Sequence, residues 1–482
     1  MNRPCPRLIV AALRGGAGKT TLAVAMAMAL RKQGITVSPF KKGPDYIDAA
    51  WLARAASGPC CNLDTFLMGD EQVVRSFSRH AAEGAVSIIE GSRGLFDGVN
   101  AEGEFSTAEL AKLLHAPVIL VVDCDKVTRT AAAMVLGCLR LDPAVDLRGV
   151  ILSRVNGSRH SSVIRRSIEE ETGLPVYGIV PRLPDLPFVQ RHLGLIPPEE
   201  LHFVKRALER AQSIACDYLD IPALLTTAQS ASPWRVDAFP NPTRPNRDPE
   251  PPLTVGVIRD SAFQFYYQEN LEALTDRGAR VVRISALADS VLPPVDALYI
   301  GGGFPETHAG RLAANESFRR CLKQAAEDGL PVYAECGGFM YLGESLTVHG
   351  RCYPMVGALP VSFSMEDRPQ GHGYTSLSVD RENPFFSPGT RISGHEFHYG
   401  RIMSLRQADT HTACRVLKGS GIDGQREGLC RNNVLAGFTH VHALGTPEWA
   451  DAILEKARQH RNEKNPLERN INMMRRFQHA AD

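Results

Sequence analysis

Short apolar runs recur along the first part of the chain, each stopped by glycine, proline or charge: RLIVAAL (7–13), AVSIIEG (85–91), PVILVVD (117–123), LRGVILSRV (147–155) and PVYGIVP (175–181). Runs without polar alternation suit strands covered on both faces, and helix-like segments lie between them. The pattern predicts a parallel sheet wrapped by helices. It stops between 233 and 252, where PWRVDAFPNPTRPNRDPEPP holds seven prolines in twenty positions. Proline removes backbone donors and favours extended, solvated chain. The alternation restarts with LTVGVIRD, ARVVRIS, DALYIGGG and LPVYAEC. Two α/β domains in tandem follow: 1–225, a linker over 226–252, a second domain over 253–458, and a basic tail over 459–482.

At 482 residues the chain exceeds one ordinary core, in agreement with that division. A net charge of +1 gives no general attraction to nucleic acid or an anionic membrane, so partners must be argued from sites. No run reaches the roughly eighteen apolar residues of a membrane span, and LIVAAL is too short for a secretory segment. The eleven cysteines include one adjacent pair, Cys60-Cys61, and no CxxC spacing. Reduced thiols in a cytoplasmic protein are expected.

The segment LIVAALRGGAGKTTLAVAMAMALRKQG reads as strand, glycine loop and helix, with a stop at Gly34. Gly15, Gly16 and Gly18 let backbone N–H groups turn inward around a phosphate. Lys19 supplies a point charge, Thr20 a hydroxyl for Mg²⁺, and Thr21 completes the motif. A strict phosphate loop would have glycine at 13, where this chain has Leu13, so the loop is a variant. Glu90 ends an apolar strand, and Asp45, Asp48 and Asp97 stand in nearby turns. Carboxylates at strand C-termini face the crevice where ligands sit in open α/β sheets, which makes Asp48 and Glu90, with Thr20, candidates for Mg²⁺. Loop capping is the alternative for each.

Cys336, in AECGGFMYL, has two readings. A packed core thiol is the commoner setting for a free cysteine. Yet LPVYAECGGFMYL reads as strand, sharp turn and helix, an arrangement that exposes a nucleophile at a strained corner. There the helix N-terminus favours a thiolate, the N–H of Gly337 faces a developing oxyanion, and Gly302 or Gly303 supplies a second donor.

KKGPDYID, NLDTF, EGSRGLFDG, RDSAFQFYYQENLEAL, LYIGGGFPE, AECGGFMYL and GHEFHYGR follow one another in that order. In this the chain resembles the cobyrinate a,c-diamide synthases, in which a dethiobiotin-synthetase-like ATPase domain is fused to a class I glutamine amidotransferase domain. The resemblance implies ATP- and glutamine-dependent amidation of the a and c acetates of cobyrinate through an acyl phosphate. It implies His440, in FTHVH, as the base of Cys336, and makes Lys42, Asp45, Tyr46, Asp64, Arg93 and Asp97 candidates for holding the acceptor. Many class I amidotransferases carry a glutamate two residues after the histidine; here His442 stands there, so a Cys-His dyad is expected. His395 and His398 suit structural hydrogen bonding better than a metal, for want of a third ligand. A homodimer is compatible with the family.

Two departures bear on the acceptor. RGGAGKTT stands where the family usually reads like SSGSGKTT, and EGSRGLFDG, with Arg93, where EGVMGLFDG is expected. Relatives that amidate sirohaem or sirohydrochlorin share the architecture and are the alternative. A cobyric acid synthase is disfavoured by KGPDYID, and a ParA/MinD-like ATPase switch does not explain Cys336.

Overall fold

The computed structural model describes residues 2–183, 188, 190–191, 194–201, 203–235, 251–406 and 409–464. The chain divides into two compact units, Met1–Phe239 and Pro240–Asp482. Most of the expected linker (236–250) and tail (465–482) lies outside the described residues.

The first unit is built on seven parallel strands: β1 (Arg7–Ala12), β2 (Val37–Lys42), β3 (Cys61–Leu63), β4 (Val86–Glu90), β5 (Val118–Asp123), β6 (Leu147–Val155) and β7 (Val176–Pro181). They lie in the order β3-β2-β4-β1-β5-β6-β7, every neighbouring pair parallel. Burial on both faces explains the unbroken apolar runs of β1 and β4–β6. Helix α1 (Lys19–Lys32) follows β1 and ends before Gly34, whose φ of 79° lets the chain turn away. Helices α2 (Ile47–Ala56) and α3 (Thr65–His80) follow β2 and β3.

The boundary expected at 225 falls inside a helix, Ile221–Gln229, and a short strand, Trp234–Arg235, then pairs with Asn2–Arg3. Trp234 is buried edge-on against Phe77 and donates from Nε1 to the Ser78 hydroxyl at 2.8 Å. That anchoring outweighs the proline signal beside it. At the other end, a helix over Glu448–Lys464 runs past 458, its His460 buried and its Arg461 bonded to Asp296. The expected tail therefore begins as docked helix.

The second unit centres on ten strands: β8 (Thr254–Ile258), β9 (Arg280–Ile284), β10 (Ala297–Ile300), β11 (Val332–Glu335), β12 (Gly371–Val379), β13 (Arg391–His398), β14 (His411–Lys418), β15 (Arg426–Arg431), β16 (Val434–Gly437) and β17 (His440–Val441). Their order is β9-β8-β10-β11-β16-β15-β14-β12-β13-β17. The half from β9 to β16 is parallel and the rest antiparallel. Successive side chains of β10 and β11 enter opposite cores: Leu298, Ile300, Val332 and Ala334 on one face, Ala297, Tyr299 and Tyr333 on the other. The C-terminal ends of β10 and β11 carry the glycines and the cysteine singled out above.

Candidate functional site

In the first unit the glycine loop joins β1 to α1, with φ of 71° at Gly16 and 98° at Gly18, angles that L side chains rarely adopt. A Cβ at Gly15, Gly16 or Gly18 would meet nothing within 4 Å, so these glycines serve backbone shape and ligand approach rather than packing. Lys19 opens α1, buried, and donates from Nζ to the carbonyls of Arg14 (3.2 Å) and Arg93 (2.7 Å). Thr21 follows in the first turn of α1. Burial and neighbouring Lys41 pull Lys19 below the usual lysine range. With both hydrogen bonds ending on carbonyls, its charge is available to a phosphate.

Beside it the Thr20 hydroxyl donates to Glu90 Oε1 at 2.6 Å. Lys41 donates to Asp48 (2.8 Å) and Glu90 (3.0 Å), which outweigh burial and keep it protonated. Burial pushes Glu90 up to about 7 despite Lys41, whereas Lys41 holds Asp48 below the carboxylate range despite burial. The second Glu90 oxygen, Oε2, is buried with no hydrogen-bond partner among the described residues. That orphaned oxygen beside a hydroxyl and a second carboxylate is a donor set suited to a hard cation that keeps several waters.

The six acceptor candidates separate. Asp64 Oδ1 accepts from the backbone of Phe66 and Leu67 at 2.9 and 3.1 Å, capping α3. Asp45 Oδ1 accepts from Asp48 N at 2.9 Å, with burial pushing Asp45 up to about 6, and exposed Asp97 closes a turn onto Gly94 N at 2.8 Å. These three carboxylates hold backbone. Tyr46 stands just before α2. Lys42 is buried, and burial pulls it below the lysine range against Asp64. Arg93 is exposed, at φ 53°, with its carbonyl on Lys19. Arg93 and Lys42 remain as the basic members of the six.

In the second unit Cys336 follows β11 at φ 49° and ψ −102°, a corner that only a constrained non-glycine residue adopts, and a helix over Gly337–Leu342 begins at once. The glycines let it close: a Cβ at Gly338 would come within 2.5 Å of the Ile300 carbonyl oxygen, and one at Gly337 within 3.0 Å of Gly303 N. The backbones of Gly337 and Gly303 thus face each other beside the thiol. Gly302 borders the histidine, since its Cβ would fall 2.4 Å from His440 Cε1. His440 opens β17, 2% exposed, where burial lowers its proton affinity but Cys336 and Glu335 raise it to about 9. A cysteine beside a histidine at a strained corner is an arrangement in which a thiol can be activated as a nucleophile.

The other histidines pack around this pair. His395 stacks on His440 with ring centres 4.8 Å apart and meets the Tyr267 hydroxyl at 3.0 Å, while His398 stacks on Phe438 at 3.7 Å. His442 accepts from Leu444 N and lies 3.7 Å from Glu269. Among the described residues, no group of three or more His, Cys, Asp or Glu is gathered as a metal centre. All eleven cysteines are free, and no described helix is long and apolar enough to cross a membrane.

Residues 8–194 match the CobQ/CobB/MinD/ParA nucleotide binding domain family, and 254–448 the CobB/CobQ-like glutamine amidotransferase domain family. A cobyrinate a,c-diamide synthase of Magnetococcus marinus is 40% identical over 92% of this chain and 96% of its own. Enzymes of that name from Methanothermobacter thermautotrophicus (39%, over 92% and 98%) and Archaeoglobus fulgidus (39%, over 94% and 97%) are similarly close. The chain belongs to the cobyrinate a,c-diamide synthase family. As a member of the cobyrinate a,c-diamide synthase family it is a glutamine-dependent ligase, with a nucleotide-binding unit ahead of the amidotransferase unit.

Within this member of the family, one residue beside the expected pair escaped sequence reasoning. Glu335 lies against the expected base: His440 Nδ1 is 3.6 Å from Glu335 Oε2. The expected dyad therefore has a carboxylate at hand, supplied by the residue before the nucleophile instead of the one two places after the histidine.

Proposed function

We propose that the chain is a cobyrinate a,c-diamide synthase, which uses ATP and glutamine to convert the a and c acetate carboxylates of cobyrinate, or of a closely related tetrapyrrole, to amides. The observation that carries this is full-length likeness to enzymes of that name, 40% identical over 92% of the chain, in a protein that keeps the phosphate-loop lysine and the cysteine corner. A carboxylate anion resists ammonia because it lacks a leaving group. Transfer of the γ-phosphoryl group to it gives an acyl phosphate and ADP, with Lys19 offsetting the charge that shifts. Ammonia then attacks the acyl carbon and phosphate leaves.

Mg²⁺ held by Thr20, Asp48 and Glu90 would neutralise phosphate charge, the chemistry that ion supplies. Lys41 bridges the two carboxylates beside Thr20. In the second unit the Cys336 thiolate attacks the glutamine carboxamide carbon, and the oxyanion lies toward the amides of Gly337 and Gly303. Protonated His440 passes its proton to the departing nitrogen. Water, deprotonated by His440, then cleaves the thioester to glutamate.

Arg93, where the family's segment is expected to differ, leaves a sirohaem or sirohydrochlorin as the second reading of the acceptor. A guanidinium suits bidentate recognition of carboxylate. Amidation of cobyrinate, hydrogenobyrinate, sirohydrochlorin and sirohaem side by side, read by mass, tests the choice, and the cobyrinate reading requires that the cobyrinate macrocycle give the highest kcat/KM. Arg93→Ala should raise the acceptor KM about tenfold, the loss of a charged hydrogen bond, and leave the KM for ATP unchanged. An unmoved acceptor KM would show Arg93 to be a solvent-facing turn residue.

A further inference from the structure

At position 442, where an orienting carboxylate would follow the base, the chain has histidine. A carboxylate reaches the base from the opposite direction. Glu335 ends an apolar strand and is 1% exposed. Leaving a carboxylate there without partners would cost several kcal/mol, so its contacts define its role. Its Oε1 accepts from Val441 N at 3.1 Å, and its Oε2 accepts from the Tyr299 hydroxyl at 3.0 Å and lies 3.6 Å from His440 Nδ1. One side chain thus bonds the backbone of residue 441 and stands beside the ring of His440.

We propose that Glu335 is the positioning residue of the Cys336–His440 pair, orienting the imidazole from its Nδ1 side in place of a carboxylate two residues beyond the histidine. The inference rests on the reading of Cys336 and His440 as the glutaminase pair.

The surroundings were built to keep Glu335 in place. Asn270 donates from Nδ2 to the Tyr299 hydroxyl (3.3 Å) and to the Val441 carbonyl (2.8 Å), and its Oδ1 accepts from Ala443 N (2.7 Å). The carboxylate and the amide, tied together by the phenol, therefore clamp residues 441–443, the segment directly after His440. The titratable groups acting around His440 are Cys336, Glu335, His395, His398 and His442. Burial lowers the proton affinity of His395 and His398, whereas Cys336 and Glu335 are the neighbours that raise that of His440. The strand supplies a reason for the sequence position: β11 pairs with β16 through Glu335 and Gly437, three residues before His440, so the residue before the nucleophile is already beside the segment of the base.

Glu335→Gln tests this, because the amide keeps an oxygen for Tyr299 or Val441 and removes the charge. Four measurements are made on the full chain: glutamine-driven amidation, ammonium-driven amidation, the pH profile of kcat/KM for glutamine, and Cys336→Ser in parallel. Glutamine-driven turnover should fall about a hundredfold or more, the scale of a mis-set acid–base group. Ammonium-driven synthesis should be unchanged, and the alkaline limb should move to lower pH by about one unit as the imidazolium loses its partner. A wild-type ratio with an unmoved alkaline limb would overturn the inference. A parallel fall with both nitrogen sources would also overturn it, as Glu335 would then be structural. Glutamine-driven synthesis surviving in Cys336→Ser would instead remove the glutaminase reading beneath it.

Discussion

In the proposed reaction Lys19 and His440 put charge where the two half-reactions need it, by opposite means. Lys19 is drawn below the lysine range by burial and Lys41, and both its hydrogen bonds end on carbonyls. Lys19→Ala should therefore reduce amide synthesis by at least a thousandfold with glutamine and with ammonium alike, about the loss expected for a phosphoryl-transfer charge clamp. Appreciable ammonium-driven synthesis in that variant would contradict the role. His440 is raised from 6.5 to about 9 in the folded chain. A group that binds its proton more tightly when folded contributes stability that is complete below its unfolded pKa and is lost as pH rises through its folded pKa. The gap in urea midpoint between wild type and His440→Ala should therefore narrow from pH 6.5 to 9, and a constant gap would contradict the assignment. The corner at Cys336 was legible because ECGG between an apolar run and another apolar run allows few structures. Glu335 was not, because a charge beside a strand end reads as the place where burial stops. Here it is buried because partners from distant segments bond to it.

At the scale of elements, apolar runs revealed the central parallel strands, which are covered on both faces. They did not reveal β2, whose VSPFKK ends in two buried lysines, or β3, only three residues long. The antiparallel half from β12 to β15 also escaped, since its alternating polar positions and glycines lack the uniform run that marks a covered strand. Asp64, expected at the acceptor, is instead the cap of α3, and Asp64→Ala should cost about 1 kcal/mol of unfolding free energy, read from urea midpoints. An unchanged midpoint would return Asp64 to a ligand role. The corner after β11 is less forgiving: Gly338→Ala sets a methyl 2.5 Å from a backbone oxygen that cannot rotate away. It should cost about 1–3 kcal/mol and depress glutamine-driven turnover beyond that loss of fold.

On the scale of the whole molecule, the restart of alternating runs after the proline-rich stretch marked two units. Their edges were harder to read, because Trp234 and His460 are buried by contacts made far along the chain. The division of chemistry between the units can be tested together with the identity of the reaction. The most direct measurement incubates the enzyme with ATP, cobyrinate and glutamine labelled with ¹⁵N in its side-chain amide, then counts the amides and their label by mass spectrometry. The account predicts a doubly amidated product with both new nitrogens labelled for wild type. For Cys336→Ser it predicts no labelled product, but the same diamide when ammonium salt is supplied. Labelled diamide from Cys336→Ser, or no diamide from wild type with either nitrogen source, would contradict it.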